Sequence, residues 1–393
     1  MTDRLYYHDA ALLDFDATVI EYGNDALHVV LDRTAFYPTS GGQPHDIGHL
    51  GNSRVVDVID EGARIVHVVD APVGLGPVHG HVDGARRRDH MQQHTAQHLL
   101  SALASDRFGW DTVSVHFGPT HSTIEFDVAA APEQNLIALQ RAANDVVAQA
   151  RPVLVSFEDA AAAEAAGLRK PPARTGLIRV ISIADIDRSA CGGTHVTRTS
   201  EIGPMLLLGM EKIRTHVRMG FLAGDRVLAH ARENGAALDA LALEMECAVT
   251  ELTTLVPAKH REIKALREQL ATLEAEVAVS RVRAMFDAIG PSDDGVRRIV
   301  YRPDAESPSI VRQMAQAVAP LERAVFAAVT QTPPTIYFAT SADSALHAGA
   351  TLKAALGTVG GRGGGSERVA QGTAPSADAL EQAARTVVYG DRP

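Results

Sequence analysis

Two short clusters of metal-ligand side chains constrain the fold of this chain more than any other feature. The segment HTAQH at residues 94–98 places two histidines four positions apart, and residues at that spacing share one face of a helix. The segment CGGTH at residues 191–195 holds a thiol and a third imidazole around two glycines, which is typical of a strand end or tight turn. Three imidazoles and one thiolate are a tetrahedral donor set that suits Zn²⁺. We therefore predict a single metal site with the ligands His94, His98, Cys191 and His195.

Length and composition indicate a globular protein of two or three domains. The chain has 393 residues, of which 46% are hydrophobic and 22% are charged. Only two cysteines occur, and the N-terminus lacks the basic and apolar regions of a signal peptide, so a reducing cytoplasm is the expected compartment. The sequence contains no stretch of about 18 apolar residues, so we expect no membrane span.

The charge distribution limits the kind of nucleic-acid contact that is possible. A net charge of −11 argues against a protein that coats nucleic acid with a broad basic surface. Two basic runs nevertheless precede the metal clusters, Arg86–Arg88 and Arg169–Lys170 with Arg174. Each run could be a solvated face, but their position favours contacts to substrate phosphates.

The sequence pattern predicts an α+β protein with four parts. Residues 1–85 carry short apolar stretches split by Gly and Pro turns, which predicts a small N-terminal β-barrel. Residues 86–225 begin with a helical period and then mix strands with helices, so an α+β domain should hold both metal clusters. Residues 226–290 are predicted to form a helical hairpin or coiled-coil segment, and residues 291–393 a small α/β domain.

Two features of the C-terminal half leave alternatives open. Pro257 is expected to divide the helical segment into two helices, and a seam of about two heptads follows it. That seam fits a helical hairpin or a dimer interface, and its residues are Ile263, Leu266, Leu270, Leu273 and Val277. The glycine-rich run at 360–366 could let backbone N–H groups approach a phosphate, or it could be a flexible linker.

A series of motifs in the same order resembles the AlaX-type trans-editing proteins, which are relatives of the editing half of alanyl-tRNA synthetase. TAFYPTSGGQ at 34–43 resembles the TxFYPxxGGQ loop of that family, and HTAQHLL at 94–100 resembles its HxxxHLL helix. CGGTH at 191–195 is followed by EIG at 201–203, as in the family. GGRGGG with AQG, at 360–372, resembles the signature of the synthetase's C-terminal domain and indicates the long form of the family.

The resemblance implies an activity and a substrate. Because no aminoacylation domain precedes the editing region, we expect a free-standing, Zn²⁺-dependent hydrolase rather than a synthetase. Its substrate would be tRNA(Ala) that carries serine or glycine. An open or exchangeable zinc site is expected, and Cys191 is the ligand that the sequence specifies least firmly.

The resemblance also implies roles for residues outside the ligand set. Thr34 is the candidate partner of the serine hydroxyl. His116 could be a general base or could support a metal ligand, or it could be a packed or solvent-facing strand histidine. The synthetase has a glutamine on this strand, and residues 113–118 contain none. The residues expected to line the pocket or contact tRNA are Gly41, Gly42, Gln43, Lys212, Arg218 and Arg362.

Two other functions remain open at this point. One is a non-catalytic tRNA-binding protein whose zinc is structural. The other is a DHH-type phosphoesterase, but such enzymes use clustered aspartates, and this sequence has neither such a cluster nor a DHH triplet. A homodimer formed through the helical or the C-terminal region is a further prediction.

Overall fold

The computed structural model describes residues 1–172, 174–303, 307–331 and 333–390. The chain divides into two compact units, Met1–Glu244 and Met245–Pro393. Within the described ranges, no helix is both long and apolar enough to cross a membrane. The mixed α+β architecture confirms the predicted fold class, whereas the finer division into four domains stays a prediction.

A closed six-stranded barrel forms the N-terminal part of the first unit, as the short apolar stretches between Gly and Pro turns predict. The strands of this region are β1 (Asp3–Arg4), β2 (Asp14–Tyr22), β3 (His28–Leu31), β4 (Arg33–Thr34), β5 (Gly48–Leu50), β6 (Ser53–Asp60), β7 (Ile65–Val69) and β8 (Gly76–Val82). The barrel order is β2-β3-β7-β6-β5-β8, and β1 and β4 form a separate parallel pair. Aliphatic side chains that point inward fill the barrel, including Val19, Val29, Leu31 and Val58.

The remainder of the first unit is built around one long helix. Its elements are α1 (Gly84–Phe108), β9 (Thr112–Phe117), β10 (Ser122–Phe126), α2 (Glu133–Ala148), β11 (Val153–Asp159), α3 (Ala160–Ala165), β12 (Leu177–Ile183), β13 (Asp187–Ala190), β14 (Met205–Ile213), β15 (His216–Ala223) and α4 (Asp225–Glu244). The strands form two antiparallel sheets, β14-β15-β10-β9 and β11-β12-β13.

Helix α1 positions the first metal cluster. The Asp83 side chain accepts a hydrogen bond from the Arg86 backbone and caps the N-terminus, and Gly109 ends the helix in the left-handed region with φ of 66°. Helix α1 packs against α2, against the sheet that contains β9 and β15, and against β13. Because it is enclosed by these neighbours, its histidines lie within the unit rather than on its surface.

The second unit combines one long helix with a five-stranded sheet. Its elements are α5 (Leu252–Ala288), β16 (Arg297–Tyr301), α6 (Pro308–Gln316), β17 (Ala324–Gln331), β18 (Pro334–Thr340), α7 (Ala348–Thr358), β19 (Arg362–Gly365), β20 (Val369–Thr373) and α8 (Ala377–Tyr389). The strand order is β16-β17-β18-β20-β19, and only β16 and β17 pair in parallel. This sheet with flanking helices confirms the predicted small α/β fold.

The prediction that Pro257 divides two helices is wrong. Pro257 lies inside α5, which runs unbroken for 37 residues. The interruption comes earlier, after α4 ends at Glu244, where Glu246 has a positive φ of 51°. Because Pro257 lies near the start of α5, its missing N–H leaves only one early carbonyl group without its usual helical partner.

The glycine-rich run is an edge strand rather than a phosphate-binding loop or a flexible linker. Residues Arg362–Gly365 form β19, which pairs with β20. A Cβ atom added at Gly363 would lie 2.6 Å from Leu356 Cδ1 on α7, so the absence of a side chain lets α7 pack closely. The first amides of α7 are already satisfied, because Ala348 and Gly349 donate to the turn between β19 and β20. The N-terminus of α7 is therefore capped by the carbonyl groups of Ser366 and Glu367.

Candidate metal centre

Four side chains from α1 and from the turn after β13 converge in the first unit. One donor atom from each of His94, His98, Cys191 and His195 lies within 4.8 Å of the other three. The rings of His94 and His98 lie one helical turn apart, with their centroids separated by 5.3 Å. Cys191 Sγ is 3.4 Å from His94 Nε2 and 3.3 Å from His195 Nε2. The fold thus brings the HTAQH and CGGTH segments together in one site, as the sequence predicts.

The two distances from Cys191 Sγ, to His94 Nε2 and to His195 Nε2, fit a tetrahedral ion. Metal–sulfur and metal–nitrogen bonds of about 2.3 Å and 2.0–2.1 Å place the two ligand atoms about 3.5 Å apart at tetrahedral angles. Burial alone would raise the pKa of the Cys191 thiol, but the imidazoles of His94 and His195 outweigh burial and hold this pKa well below its usual range. The site therefore favours the thiolate, which is the form that binds metal.

The ring of His94 is oriented by Gln43, from the loop after β4. The Thr194 backbone N–H donates to Gln43 Oε1 at 3.1 Å, which identifies this atom as the amide oxygen. His94 Nδ1 lies 2.8 Å from the same oxygen and must therefore carry the proton. Gln43 Nε2 donates to the Thr194 hydroxyl at 2.8 Å. Because Gln43 is buried and engaged through both amide atoms, it directs His94 Nε2 towards the centre.

A glycine turn brings Gln43 to this position. Gly41 and Gly42 have φ values of 57° and 85°, which glycine adopts without strain, and Ser40 and Gln43 pair across the turn. An added Cβ at Gly42 would lie 3.4 Å from the Val115 carbonyl oxygen, so the turn lies against β9. The predicted role of this turn in substrate binding stays a prediction.

The ring of His98 is supported by a buried carboxylate that the sequence reasoning missed. Asp187 Oδ2 lies 2.9 Å from His98 Nδ1, and Asp187 Oδ1 accepts from Arg169 Nε at 2.8 Å and from the Ser189 hydroxyl at 3.1 Å. Burial raises the pKa of Asp187, but the hydrogen bonds from His98 and Arg169 more than offset this and lower it. A carboxylate in this position fixes ring orientation and strengthens the imidazole as a ligand. The only sequence signal was an acidic residue four positions before Cys191.

The ring of His195 is supported by Thr95, which the sequence reasoning also missed. Thr95 Oγ1 donates its only proton to the Met91 carbonyl at 2.8 Å. It therefore accepts from the Val196 backbone at 3.2 Å and from His195 Nδ1 at 3.2 Å. Thr95, from the HTAQH segment, thus orients the ring of His195, from the CGGTH segment.

The turn that carries Cys191 is held by close packing and by one arginine. An ideal Cβ at Gly193 would lie 2.1 Å from His94 Cε1, so only glycine leaves room for that ring. Gly192 has more space, with its nearest neighbour at 3.5 Å. The Arg179 guanidinium donates to the carbonyls of Cys191 and Gly193 at 2.8 and 2.9 Å. The CGG sequence therefore fits a turn packed directly against α1.

An open cleft of about 1900 Å³ adjoins the metal centre. His98 and Cys191 lie in its wall, and hydroxyl and amide groups of α1 and β9 form one side. Cationic side chains outnumber carboxylates in the lining of this cleft. Its six cations are Arg4, Arg169, Lys170, Arg174, Arg179 and Arg188, and its four aspartates are Asp60, Asp111, Asp185 and Asp187. A chain with an acidic net charge thus places a cluster of positive groups beside its candidate metal site.

Thr34 and His116 are not among the residues that line the cleft. Thr34 is fully buried in the barrel region, where its hydroxyl accepts from the Phe36 N–H at 3.0 Å and lies 2.8 Å from His67 Nε2. His116 is exposed on β9, on the face opposite Phe117, and it is the Phe117 ring that contacts His94 at 5.1 Å. The roles predicted for Thr34 and His116 stay predictions.

The basic residues singled out from the sequence have different surroundings. Arg218 on β15 is paired with Glu125 at 2.6 Å, and Lys212 is exposed on β14, so neither lies in the cleft wall. Arg362 belongs to the second unit, where it is exposed on β19. Arg87, from the run before the HTAQH segment, is buried in an ion pair with Asp46 and is not available to a phosphate.

Comparisons with known proteins agree with this arrangement. Residues 178–218, which include Cys191 and His195, match the threonyl and alanyl tRNA synthetase second additional domain, and residues 295–388 match the DHHA1 domain. The chain is 34% identical to alanyl-tRNA editing protein Aarsd1 of Danio rerio over 257 residues, 64% of this chain and 62% of that protein. It is 33% identical to the Mus musculus Aarsd1 over 263 residues, 66% of this chain and 64% of that protein.

A longer relative aligns with nearly all of the chain. Alanine–tRNA ligase of Methanoculleus marisnigri is 32% identical over 402 residues, 97% of this chain and 42% of the ligase. Fold and site thus define a protein that combines a synthetase-type second additional domain with a DHHA1 domain. The chain is similar to AlaX-like alanyl-tRNA editing proteins and matches both of these domain models. It spans less than two thirds of the length of the Aarsd1 proteins that it matches.

Proposed function

We propose that this chain is an aminoacyl-tRNA hydrolase that removes serine or glycine from mischarged tRNA(Ala), with Zn²⁺ as its cofactor. The observation that carries the proposal is the convergence of His94, His98, Cys191 and His195 beside a cationic cleft. The similarity to proteins named alanyl-tRNA editing proteins supplies the substrate class. An ester between an amino acid and a terminal ribose is already activated, so the protein chiefly has to orient it and stabilise the developing oxyanion.

Different residues would bind the tRNA end and orient the metal ligands. Lys170 and Arg174 would attract the phosphates of the tRNA end, and the hydroxyls of Ser101 and Ser114 would face its sugar. Gln43 and Asp187 hold the rings of His94 and His98 in one orientation. Bound zinc would supply Lewis-acid stabilisation of the ester oxygen, and at an open coordination position it would lower the pKa of a water molecule to about 7.

A substrate panel tests the activity. Purified protein would be incubated with labelled Ser-tRNA(Ala), Gly-tRNA(Ala) and Ala-tRNA(Ala), before and after removal of metal by a chelator. The proposal predicts metal-dependent release of serine or glycine, while alanine is retained. Hydrolysis of all three esters at one rate, or of none, would contradict it.

A second candidate function has its own support. If all four side chains bind one ion, they occupy every position of a tetrahedral coordination sphere and leave none for water or substrate, which is typical of structural zinc. The chain would then be a non-catalytic tRNA-binding protein. This reading predicts tight binding of tRNA(Ala) without release of the amino acid from any of the three esters.

Thr34 is proposed to read the serine hydroxyl. If His67 Nδ1 donates to the Val29 carbonyl at 3.3 Å, then His67 Nε2 accepts the Thr34 proton. Thr34 Oγ1 also accepts from Phe36, so its remaining lone pair is the site that a serine hydroxyl would use. Thr34→Val should reduce the preference for Ser-tRNA(Ala) over Ala-tRNA(Ala), and Thr34→Ser should retain it. Equal selectivity of the two variants would remove Thr34 from this role.

The second unit is proposed to contribute tRNA binding and self-association. The heptad side chains of α5 are 40–58% exposed, which leaves an apolar seam for a second copy of the chain. Leu266→Glu with Leu270→Glu should shift the mass measured by light scattering from dimer to monomer. A dimeric double variant would exclude the seam as the interface.

Arg362 is the proposed tRNA contact in the second unit. Arg362→Glu should raise the KM for aminoacyl-tRNA and leave kcat unchanged, because the residue lies outside the metal centre. Arg385→Glu makes the same charge change at an exposed position of α8 and serves as the control. Equal KM values for the two variants would contradict a specific contact by Arg362.

A further inference from the structure

We propose that Phe157 is a stacking platform for an unpaired base at the 3′ end of the RNA substrate. The proposal rests on the proposed function and names a residue through which the cleft would hold its substrate. It begins from an aromatic side chain that faces the cleft and is only partly covered by the protein.

The position of Phe157 is unusual among the aromatic residues. Phe157 is 40% exposed, and in the described part of the chain the other aromatic residues with comparable exposure are Tyr22 and Tyr389. Only Phe157 of these three lines the cleft that contains His98. The His8 ring contacts Phe157, with 5.1 Å between the centroids, and leaves the remainder of the ring open.

The strand register places Phe157 in an apolar patch on the cleft wall. Phe157 lies opposite Arg179 in the antiparallel pair of β11 and β12, and Leu177 lies two positions away from Arg179 on the same face of β12. Leu177 is 74% exposed and also lines the cleft. An exposed phenyl ring next to an exposed leucine is costly in water unless a partner covers it.

The charges around this apolar patch favour a polyanion as the molecule that covers it. Lys170 and Arg174 line the same cleft, whose six cationic side chains outnumber its four aspartates although the whole chain is acidic. Arg4 also lines it and is paired with Asp60 at 2.8 Å. The Tyr7 ring is not available for stacking in the same way, because guanidinium groups of Arg4 and Arg179 each lie 5.5 Å from its centroid. A free aromatic face flanked by cations is the combination that single-stranded nucleic acid requires, since bases stack on the ring and phosphates contact the cations.

The position of the metal centre decides which part of the RNA would be bound. Cys191 and His98 line the cleft together with Phe157, and the ester to be cleaved is attached to the terminal ribose. A base on Phe157 would therefore belong to the unpaired nucleotides next to that ribose. Stacking would hold the strand without reading its sequence, because every base offers an aromatic face.

Binding of an uncharged oligonucleotide tests the platform without relying on hydrolysis. The probe is a fluorescently labelled single-stranded RNA that ends in CCA, and its Kd for the full chain is measured by anisotropy. Phe157→Ala should weaken binding on the order of tenfold, whereas Phe157→Trp should bind at least as tightly as the wild type. Leu154→Ala is the matched control, because Leu154 is 57% exposed on the opposite face of the same strand.

The outcomes separate this proposal from the proposed function. Unchanged Kd for Phe157→Ala, or an equal loss for Leu154→Ala, would overturn the platform even if the wild type hydrolyses Ser-tRNA(Ala). A wild type that binds the probe and loses affinity only on Phe157→Ala would support the platform even if no ester is hydrolysed. If Phe157 instead binds an apolar peptide, the RNA Kd stays the same and the platform is likewise overturned.

Discussion

His98 and Asp187 are joined by a hydrogen bond of 2.9 Å between Nδ1 and Oδ2, although 89 residues separate them in the sequence. The bond connects α1 to the start of β13, and through Arg169 Nε it extends to the cleft wall. The metal centre is therefore supported by a buried carboxylate that also determines where a cleft arginine lies.

Asp187→Asn is expected to weaken metal binding by about 10- to 100-fold, because a neutral amide supports the His98 ring less strongly than a carboxylate does. The measurement is competition for zinc with a chromophoric chelator. Asp185→Asn is the control, since Asp185 is exposed two positions away. Equal zinc affinity in the Asp187 variant and the wild type would show that the bond does not support the site.

Gly193→Ala and Gly192→Ala should differ sharply although they are adjacent. A Cβ at Gly193 would overlap the His94 ring, with 2.1 Å to Cε1, whereas a Cβ at Gly192 would meet the Tyr7 hydroxyl at an ordinary 3.5 Å. We expect Gly193→Ala to bind less than one equivalent of zinc and Gly192→Ala to bind the wild-type amount. Elemental analysis of the purified variants measures this, and full occupancy in Gly193→Ala would contradict the packing described.

Arg87→Ala should strongly destabilise the first unit. The guanidinium is buried, pairs with Asp46 and donates to the carbonyls of Ala10 and Ala35, so its loss leaves a carboxylate and two carbonyls without a partner. Breaking such a pair costs roughly 3–5 kcal/mol of unfolding free energy. Arg88→Ala, at an exposed neighbouring position, should change the urea midpoint little. Similar midpoints for the two variants would exclude a structural role of the pair.

His67 should make the protein less stable as the pH falls from about 6.5. Burial lowers the pKa of His67 to about 4, so between these two pH values the unfolded chain binds a proton that the folded chain does not. One such group lowers the unfolding free energy by about 1.4 kcal/mol for each pH unit in this window. The stability is fully present above pH 6.5 and is lost towards pH 4.

Urea unfolding at pH 7 and pH 5 measures the contribution of His67. His67→Gln should show a smaller loss of unfolding free energy between these pH values than the wild type shows. His49→Gln changes an exposed histidine of the same barrel and should behave as the wild type does. Identical pH dependence in all three proteins would mean that His67 does not titrate as described.

The sequence predicted the fold class from local patterns, and it predicted the meeting of the two metal clusters from their combined ligand chemistry. Short apolar stretches split by Gly and Pro turns indicated the barrel, and the spacing of His94 and His98 placed both on one helical face. The partners of the ligands were not predictable in this way. Asp187 and Thr95 became supports only when the fold brought distant segments together.

Two misreadings of local patterns have a common physical cause. The glycines of Gly360–Gly365 indicated a loop, but they allow α7 to approach the sheet, and only tertiary packing reveals that requirement. Arg86–Arg88 suggested a basic surface that contacts phosphates, but the Arg87 side chain is buried in an ion pair with Asp46. Glycine can form a loop or allow close packing, and arginine can bind a phosphate or a buried carboxylate. The neighbours in the folded structure determine which of these roles the residue takes.

The four-ligand site is proposed to support deacylation of tRNA(Ala), and a metal titration measures how far the activity depends on it. Metal-free protein would receive zinc in steps, and the initial rate of serine release from Ser-tRNA(Ala) would be measured at each step. We predict that the rate rises in proportion to zinc and reaches a plateau at one equivalent per chain, and that His94→Ala shows no rise. Hydrolysis of the ester at the full rate by metal-free protein would exclude a role of the metal in the reaction.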